Sequence, residues 1–405
     1  SPAAPVPSRP GFLDGILRRG VLRRLEGIRE GFLVLRDAGG ESAFGDPAST
    51  LRAGIRVARP SFWSAVALRG SVGAGESFMD GDWTADDLTA VVRILLRNRA
   101  VLDGMESGLA RLGAPALRAF HSLRRNTLPG SRRNVADHYD LGNDLFALFL
   151  DRTMNYSALY FEREDATLEE AAEAKMDRLC RWLGLRPEHH LAEIGTGWGA
   201  LALHAASRFG CRVTTTTLSG EQAAAARGRA AAAGLSGRIE VIERDYREME
   251  GTFDRLVSVE MVEAVGADNL DGYFEACARL LRPGGLFALQ AITIDHRLHG
   301  PALRRVDFIQ RHVFPGSFIP SAPVLARSME RAGLRLERME DIGPHYARTL
   351  REWRGRFLDN RDRVRALGYP ERFLRMWEFY LRYCEGGFAE GVLGDAQILA
   401  RRALP

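Results

Sequence analysis

Two glutamates, Glu260 and Glu263, lie three positions apart just beyond TFDRLVSV, an apolar run typical of a β-strand. A lone glutamate in such a place is usually a solvated loop residue. Two carboxylates near the carboxyl end of a strand, where α/β proteins bind their ligands, instead favour proton transfer involving a bound molecule. We interpret both as candidate catalytic residues, with Glu260 one helical turn before Glu263.

A second informative feature is the glycine-rich turn EIGTGWG, residues 193–199, which begins in a strand-like segment. Gly195, Gly197 and Gly199 allow the backbone to approach a ligand and leave helix N–H groups free to bind an anion. Dinucleotide-binding enzymes use similar loops, and some tight glycine turns bind nothing. The turn alone therefore does not identify its ligand.

Three neighbouring features favour S-adenosylmethionine (SAM) as that ligand. Glu193 ends the strand before the turn, where its carboxylate can engage the amino group of the ligand. The next strand ends in TTTTLS, without the acidic residue that binds the ribose of a nicotinamide dinucleotide. A third strand ends at Asp245 and Tyr246, which are suited to hydrogen-bonding and flanking an adenine ring. A nicotinamide oxidoreductase is therefore the less favoured enzyme class.

The elements that must position these residues follow an α/β pattern. From about residue 135, strand-like runs alternate with helix-like runs, which predicts a doubly wound, parallel, Rossmann-like sheet. Two aromatic- and arginine-rich segments, 296–330 and 350–390, interrupt the alternation, and we expect them to be helical and to form a lid. We assign residues 135–405 to a catalytic domain.

The N-terminal part predicts a smaller α+β domain over residues 11–112, between a disordered tail at 1–10 and a linker at 113–134. Its first segment, FLDGILRRGVLRRLEGI, has apolar residues on one side and arginines on the other, which predicts a helix. FLVLRDA and IRVARPSFWSAVA alternate like short strands. ADDLTAVVRILLRNRAVLDGM then predicts a helix capped by Thr84.

Basic residues are concentrated in this N-terminal part. Residues 1–133 hold 20 arginines against 13 carboxylates, whereas the whole 405-residue chain has a formal net charge of only +4. Lys175 is the only lysine, and the abundance of arginine is equally consistent with a GC-rich genome. The basic amphipathic first helix can lie on an anionic membrane, although such an apolar stripe is more often core.

Membrane-spanning and secreted classes are disfavoured. No apolar run approaches the ~20 residues that a spanning helix needs, and the first residues lack the apolar core of a signal peptide. The four cysteines are scattered, without the spacing of a metal site or a disulfide framework. We expect a cytoplasmic protein that associates peripherally with the inner face of the membrane.

Several separated motifs, taken in order over nearly the whole chain, resemble those of the cyclopropane-fatty-acyl-phospholipid synthases. They are GESFMDGDW (75–83), HYDLGNDLFALFLDRTMNYSALYF (138–161), EIGTGWG (193–199), TLSGEQ (217–222), DYRE (245–248), VEMVEAVG (259–266), FPGSFIPS (314–321) and HYARTLREW (345–353). The resemblance implies a SAM-dependent methyltransferase that transfers a one-carbon unit to the cis double bond of a phospholipid acyl chain. It also implies an N-terminal domain that handles lipid, and a homodimer.

The resemblance further assigns a set of residues to SAM. Tyr156 and Ser157 are implied to close one wall of its pocket, which gives the uncharged stretch TMNYSALYF a binding role. The remaining implied contacts are Gly195, Gly197, Gly199, Thr217, Leu218 and Gln222 for the methionine and ribose portions, and Asp245 and Tyr246 for the adenine.

In this family a bound bicarbonate acts as the base, and its surroundings map onto Ala158, Glu263, Gln290, Ile292 and Tyr346. Glu263 and Tyr346 keep the family pattern. Ala158 stands where many members have Cys, Gln290 where many bacterial members have His, and Glu260 where several have Gly. These departures leave a non-catalytic lipid- or SAM-binding protein as an alternative.

Methyl transfer to an alkene leaves a carbocation, so the site must exclude water and supply a base. We expect Glu260, Glu263, Gln290 and Tyr346 to form the catalytic centre. Because Glu260 offers a proton acceptor displaced from the family's base, we predict a methyl-branched or methylene product, with cyclopropane as the alternative. The acyl tunnel is predicted to be walled by Tyr156, Tyr160, Phe161, Phe308, Phe314, Phe318 and Tyr346.

Overall fold

The structure is a computed structural model and describes residues 11–106 and 141–404. The tail predicted at 1–10 and the linker predicted at 113–134 lie outside the described residues. The chain divides into two compact units, the first being Ser1–Leu123, Arg305–Pro315 and Trp353–Val392, and the second Arg124–Arg304, Gly316–Glu352 and Leu393–Pro405. Two segments that the sequence assigns to the catalytic domain therefore group with the N-terminal residues.

The elements are as follows in chain order. The first half contains α1 (Phe12–Leu25), β1 (Phe32–Asp37), β2 (Gly40–Gly45), β3 (Arg52–Val57), α2 (Ser61–Met79), β4 (Trp83–Ala85), α3 (Leu88–Arg97), α4 (Arg99–Glu106), α5 (Asn143–Ala147), α6 (Leu168–Trp182), β5 (His190–Ile194) and α7 (Ala200–Phe209). The second half contains β6 (Arg212–Thr216), α8 (Gly220–Ala232), β7 (Ile239–Ile242), β8 (Phe253–Val259), α9 (Leu270–Leu280), β9 (Leu281–Ile294), α10 (His296–Ala302), α11 (Phe308–His312), α12 (Ala322–Arg331), β10 (Leu334–Asp341), α13 (Gly343–Asp359), α14 (Arg361–Ala366), α15 (Glu371–Ala389) and β11 (Leu393–Arg402).

The first unit contains a four-stranded sheet in the order β2-β1-β3-β4. The strand predicted for SFWSAVA is wrong, because these residues begin α2, where Phe62, Trp63 and Val66 are buried at helical spacing. The helix cap predicted at Thr84 is also wrong. Thr84 lies in β4, and α3 is capped by the Asp87 side chain, which accepts a hydrogen bond from the backbone of Ala90.

The second unit contains a seven-stranded sheet in the order β10-β11-β9-β8-β5-β6-β7. The strands from β5 to β9 pair in parallel, as predicted. The sheet is nevertheless mixed, because β11 pairs antiparallel with both β9 and β10. Neither β10 nor β11 was predicted from the sequence. Most side chains of the edge strand β10 are exposed, so its apolar alternation is weak.

The segments 296–330 and 350–390 are largely helical, as predicted. Their role as a lid stays a prediction. Within the described residues, no helix combines the length and apolar character needed to cross a membrane.

Successive strand residues alternate between two buried clusters, which shows that the sheet is covered on both faces. Leu191 of β5 and Val257 of β8 belong to one cluster, whereas their neighbours Ala192 and Leu256 belong to the other. Because β5, β6, β7, β8 and β9 are parallel, they end at one edge of the sheet, where the glycine turn and the two glutamates of interest follow them.

Candidate active site

All the cofactor residues predicted from the sequence except Gly199 line one cavity, at the carboxyl ends of β5, β6 and β8. Those that line it are Tyr156, Ser157, Glu193, Gly195, Gly197, Thr217, Leu218, Gln222, Asp245 and Tyr246. Glu260 also lines the cavity, together with Lys175, Trp198, Arg247 and Met261, four residues that the sequence analysis did not assign to it.

The three glycines of the turn have different roles. Gly195 and Gly197 have φ angles of +98° and +50°, in the left-handed region that favours glycine. A Cβ added to Gly197 would meet no atom within 4 Å, so the backbone there borders open space. A Cβ on Gly199, with φ +83°, would stand 3.0 Å from the Cβ of Ala226. Gly199 therefore permits close packing of α7 on α8.

Two buried carboxylates give the cavity its acceptors. Glu193 accepts a hydrogen bond of 2.6 Å from the Thr215 hydroxyl, and burial raises its pKa to about 8. Asp245 is held by Arg247, whose guanidinium donates to both of its carboxylate oxygens at 2.7 Å. Two acceptors beside an open glycine backbone fit the amino group, hydroxyls and adenine of SAM.

Residues 154–157 of the stretch TMNYSALYF line one wall of the cavity, among them the predicted Tyr156 and Ser157. The rings of Tyr156 and Phe146 meet edge to face with centroids 5.1 Å apart. Ser157 accepts a hydrogen bond of 2.6 Å from Nζ of Lys175, whose residue is only 2% exposed. The single lysine of the chain is thus a buried amine at the cavity wall, and burial lowers its pKa while nearby carboxylates such as Glu260 oppose that shift.

Beside the cavity lies a group that we call the carboxylate centre, Glu260, Glu263 and Asp395. Burial raises the pKa of Glu263 to about 8, and the charge of Glu260 adds to the rise. Burial and both glutamates raise the pKa of Asp395 well above its usual range. Asp395 was not predicted, because it lies on β11, a strand that the sequence analysis missed.

Three donors converge on the Glu260 carboxylate. Its Oε1 accepts hydrogen bonds from the Ala158 backbone at 2.7 Å and from Nε2 of Gln290 at 2.8 Å. Its Oε2 accepts a hydrogen bond of 2.9 Å from the Tyr346 hydroxyl. Burial raises the pKa of Glu260, and these donors together with Lys175 oppose that rise.

The backbone at Glu260 is unusual. Its φ of +46° lies in the left-handed region, so the predicted helical turn between Glu260 and Glu263 is wrong. Glu263 instead lies in the short 3₁₀ segment Val262–Ala264, which begins two residues after Glu260. Among the described residues, Met154 is the other non-glycine residue with positive φ, and it lines the same cavity. A strained residue at such a place indicates a functional constraint.

A chain of amides fixes the orientation of Gln290. Nε of Arg178 donates to Oε1 of Gln397 at 2.7 Å, and Nε2 of Gln397 donates to Oε1 of Gln290 at 3.0 Å. An arginine can only donate, so Gln397 must turn its oxygen toward it and its nitrogen toward Gln290. Nε2 of Gln290 therefore faces Glu260.

The residues mapped to bicarbonate do not fit an additional anion. The N–H of Ala158, the amide of Gln290 and the hydroxyl of Tyr346 all donate to Glu260. The N–H of Ile292 donates to Oε1 of Glu263 at 2.6 Å. The donors are thus engaged by carboxylates of the chain itself, and a bicarbonate would also be repelled by those carboxylates when they are ionised.

The aromatic residues predicted to wall an acyl tunnel are divided between the two units. Phe308 and Phe314 belong to the first unit, where their rings contact Phe379 and Tyr380. The other five belong to the second unit, namely Tyr156, Tyr160, Phe161, Phe318 and Tyr346. The tunnel itself stays a prediction.

The sequence of this chain is similar to a known enzyme family and to characterised relatives. The family model for mycolic acid cyclopropane synthetase matches residues 127–398. The tuberculostearic acid methyltransferase UfaA1 of Mycobacterium tuberculosis is 42% identical over 332 residues, covering 80% of this chain and 77% of the relative. The cyclopropane-fatty-acyl-phospholipid synthase of Escherichia coli K12 is 37% identical over 343 residues, covering 83% and 84%.

A solved structure is also similar. The mycolic acid cyclopropane synthase CmaA1, crystallised with SAH and CTAB, superposes with a TM-score of 0.63 at 32% identity. The match covers 67% of this chain and 98% of that one. SAH is the product that remains when SAM has given up its methyl group, so the fold and the cofactor class agree with the cavity described above.

Proposed function

The chain belongs to the mycolic acid cyclopropane synthetase family of SAM-dependent methyltransferases, and from this premise we propose that it methylates the cis double bond of an unsaturated phospholipid acyl chain. One observation carries the proposal: a single cavity is lined both by the SAM residues and by a half-buried carboxylate, Glu260. Because the chain belongs to this family, a non-catalytic lipid- or SAM-binding protein and a nicotinamide oxidoreductase are both disfavoured.

When bound, SAM supplies a strongly electrophilic methyl group. In this proposal, Gly195 and Gly197 accommodate its methionine and ribose portions, while Glu193 accepts from its amino group. Asp245, held in place by Arg247, accepts from the adenine. Gln222 completes the ribose side from α8.

After methyl transfer the acyl chain carries a positive charge, and a base must remove one proton. Glu260 is suited to this step because its half-buried carboxylate lines the cavity. Gln290 and Tyr346 position its two oxygens through their hydrogen bonds. The apolar side chains of Met261 and Val265 on the cavity wall keep water from capturing the cation.

We propose a methyl-branched or methylene product, with cyclopropane as the second candidate. The 42%-identical relative is named as a tuberculostearic acid methyltransferase, and the 37%-identical one as a cyclopropane synthase. Glu260 takes donors that the resemblance assigned to bicarbonate, so its carboxylate lies at the family's base position and is not displaced from it. Support for the branched product now comes from the more similar of these two relatives.

Incubation with SAM that carries a fully deuterated methyl group and vesicles of a cis-monounsaturated phospholipid tests the activity and the product together. Loss of a chain hydrogen leaves a branched alkene with all methyl deuterium retained, whereas ring closure or an exocyclic methylene loses one deuterium. Mass spectrometry before and after hydrogenation separates the last two. Absence of label from every lipid, with SAM bound, contradicts the proposed function.

We also propose that α1 attaches the protein to anionic bilayers. Phe12, Leu13 and Ile16 are 84%, 72% and 43% exposed, so the predicted apolar stripe is only partly core. Arg19 and Arg23 are exposed on the same helix. Apolar side chains beside basic ones fit the interface of an anionic membrane.

Replacing Arg19 and Arg23 with Gln tests this attachment. Each basic residue near the surface contributes about 1 kcal/mol, so the pair should weaken binding to anionic vesicles roughly 30-fold. The matched control replaces Arg36 and Arg56, two exposed arginines of the sheet, with Gln. Equal sedimentation with anionic and neutral vesicles would contradict the attachment.

A further inference from the structure

We propose that the Glu260 carboxylate replaces the bicarbonate used by related enzymes, so that this protein deprotonates its substrate with a resident side chain and needs no added anion. The inference rests on the function proposed above and identifies the base of that reaction. The carboxylate takes the proton from the cationic acyl chain, and the electron pair of the broken C–H bond forms the new double bond or ring bond. Glu260 is left as a carboxylic acid and returns the proton to solvent between turnovers.

Glu260 is distinguished by the number and type of the donors on its carboxylate. A backbone N–H, an amide and a phenol donate to its two oxygens at 2.7 to 2.9 Å. Hydrogen bonds to an ionised acceptor are stronger than those between neutral groups, so these donors favour the anion and oppose the burial that raises the pKa of Glu260. Neither of the other two carboxyls matches it: Oε2 of Glu263 and Oδ1 of Asp395 are buried without a hydrogen-bond partner in the described part of the chain.

The backbone conformation of Glu260 supports the same assignment. A non-glycine residue in the left-handed region costs on the order of 1–3 kcal/mol, and Glu260 adopts φ +46°. Glycine would adopt this conformation without strain. A glycine at position 260 would leave room for a separate anion. Glutamate instead fills that room with its own carboxylate, at the cost of the strained backbone.

The balance of charge around the buried Lys175 also disfavours an added anion. Groups that interact electrostatically with the buried Lys175 are Glu260, Asp151, Asp395 and Glu193. One lysine among four carboxyls already leaves an excess of potential negative charge in a buried region. A further bicarbonate would increase that excess, whereas Glu260 as the base adds no new charge.

The orientation of Gln290 supports the same assignment. The chain from Arg178 through Gln397 turns the Gln290 nitrogen toward Glu260. A histidine, which many family members have at this position, can carry positive charge beside a mobile anion. A neutral amide locked in one direction is instead suited to a fixed carboxylate.

The decisive experiment compares the wild-type protein with Glu260→Gly and with the double variant Glu260→Gly, Gln290→His. Methyl transfer is measured in carbon-dioxide-free buffer with and without added bicarbonate. In parallel, ¹³C-bicarbonate line widths are measured by NMR with SAH bound and no lipid present. Glycine suits the backbone at this position, so both variants should fold, and their thermal transitions provide the check.

We expect wild-type activity to be indifferent to bicarbonate and wild-type protein to leave the ¹³C line sharp. Glu260→Gly should lose activity by about 100-fold or more, and bicarbonate should restore part of it, most in the double variant. Stimulation of the wild type by bicarbonate, or line broadening by the wild type, would overturn the inference. Because the NMR arm needs no turnover, it decides the point even if the proposed substrate is wrong.

Discussion

The glycine turn and the carboxylate centre border the same cavity, but they are assembled in opposite ways. The turn is seven consecutive residues, 193–199, and Gly197 faces open space. The carboxylate centre combines the neighbouring Glu260 and Glu263 with Asp395 from a distant part of the chain, and Glu260 is already surrounded by donors. Cofactor binding is thus encoded by local backbone conformation, whereas the reacting group depends on long-range contacts.

The largest effect on SAM affinity should come from filling the open side of the turn. Gly197→Val adds a branched side chain where the backbone meets SAM, and it strains a residue with φ +50°. We expect SAM affinity to fall about 100-fold or more, equivalent to about 2.7 kcal/mol, as measured by calorimetry. The matched control is Gly184→Val, at φ +55° with nothing within 4 Å of an added Cβ and outside the cavity lining. Equal SAM affinity in the two folded variants would contradict the role of the turn.

A smaller effect should follow from reversing the amide chain of the centre. In Gln397→Glu an ionised carboxylate still accepts from Arg178 but cannot donate to Gln290, so the Gln290 amide turns its oxygen toward Glu260. Turnover should fall roughly 10- to 100-fold, while KM for SAM stays unchanged. Activity should partly recover as the pH falls and the new carboxyl takes a proton.

The charge-matched control for that variant is Gln310→Glu, which lies in the first unit at the start of α11. A loss of turnover in Gln397→Glu that is independent of pH, or an equal loss in the control, would show that the amide chain does not position Glu260.

The smallest effect is a pH dependence of SAM affinity that comes from Glu193. With a pKa of about 8 in the free protein, Glu193 is mostly protonated at neutral pH. The cationic SAM favours the ionised form, so binding should release a proton and tighten as the pH rises toward 8, by at most about tenfold per pH unit. Calorimetry in buffers of different ionisation enthalpy measures the proton. The same slope in Glu193→Gln would exclude this residue as its source.

This contrast also explains how much could be predicted from sequence. Gly197, Asp245 and the other cavity residues lie in short contiguous motifs at predicted strand ends, so their convergence follows from the parallel sheet. Asp395 and Gln397 lie on β11, which runs antiparallel and was not predicted. The left-handed backbone at Glu260 is fixed by tertiary contacts, so the sequence alone suggested a helical turn instead.

The most direct test of the account measures turnover and SAM affinity together in Glu260→Gln. This isosteric change keeps the volume of the side chain but removes its basicity. Turnover should fall about 10²- to 10⁴-fold, with SAM affinity close to that of the wild type and of the control Glu221→Gln, an exposed glutamate at the start of α8. Turnover that survives in Glu260→Gln would contradict the claim that the Glu260 carboxylate is the base.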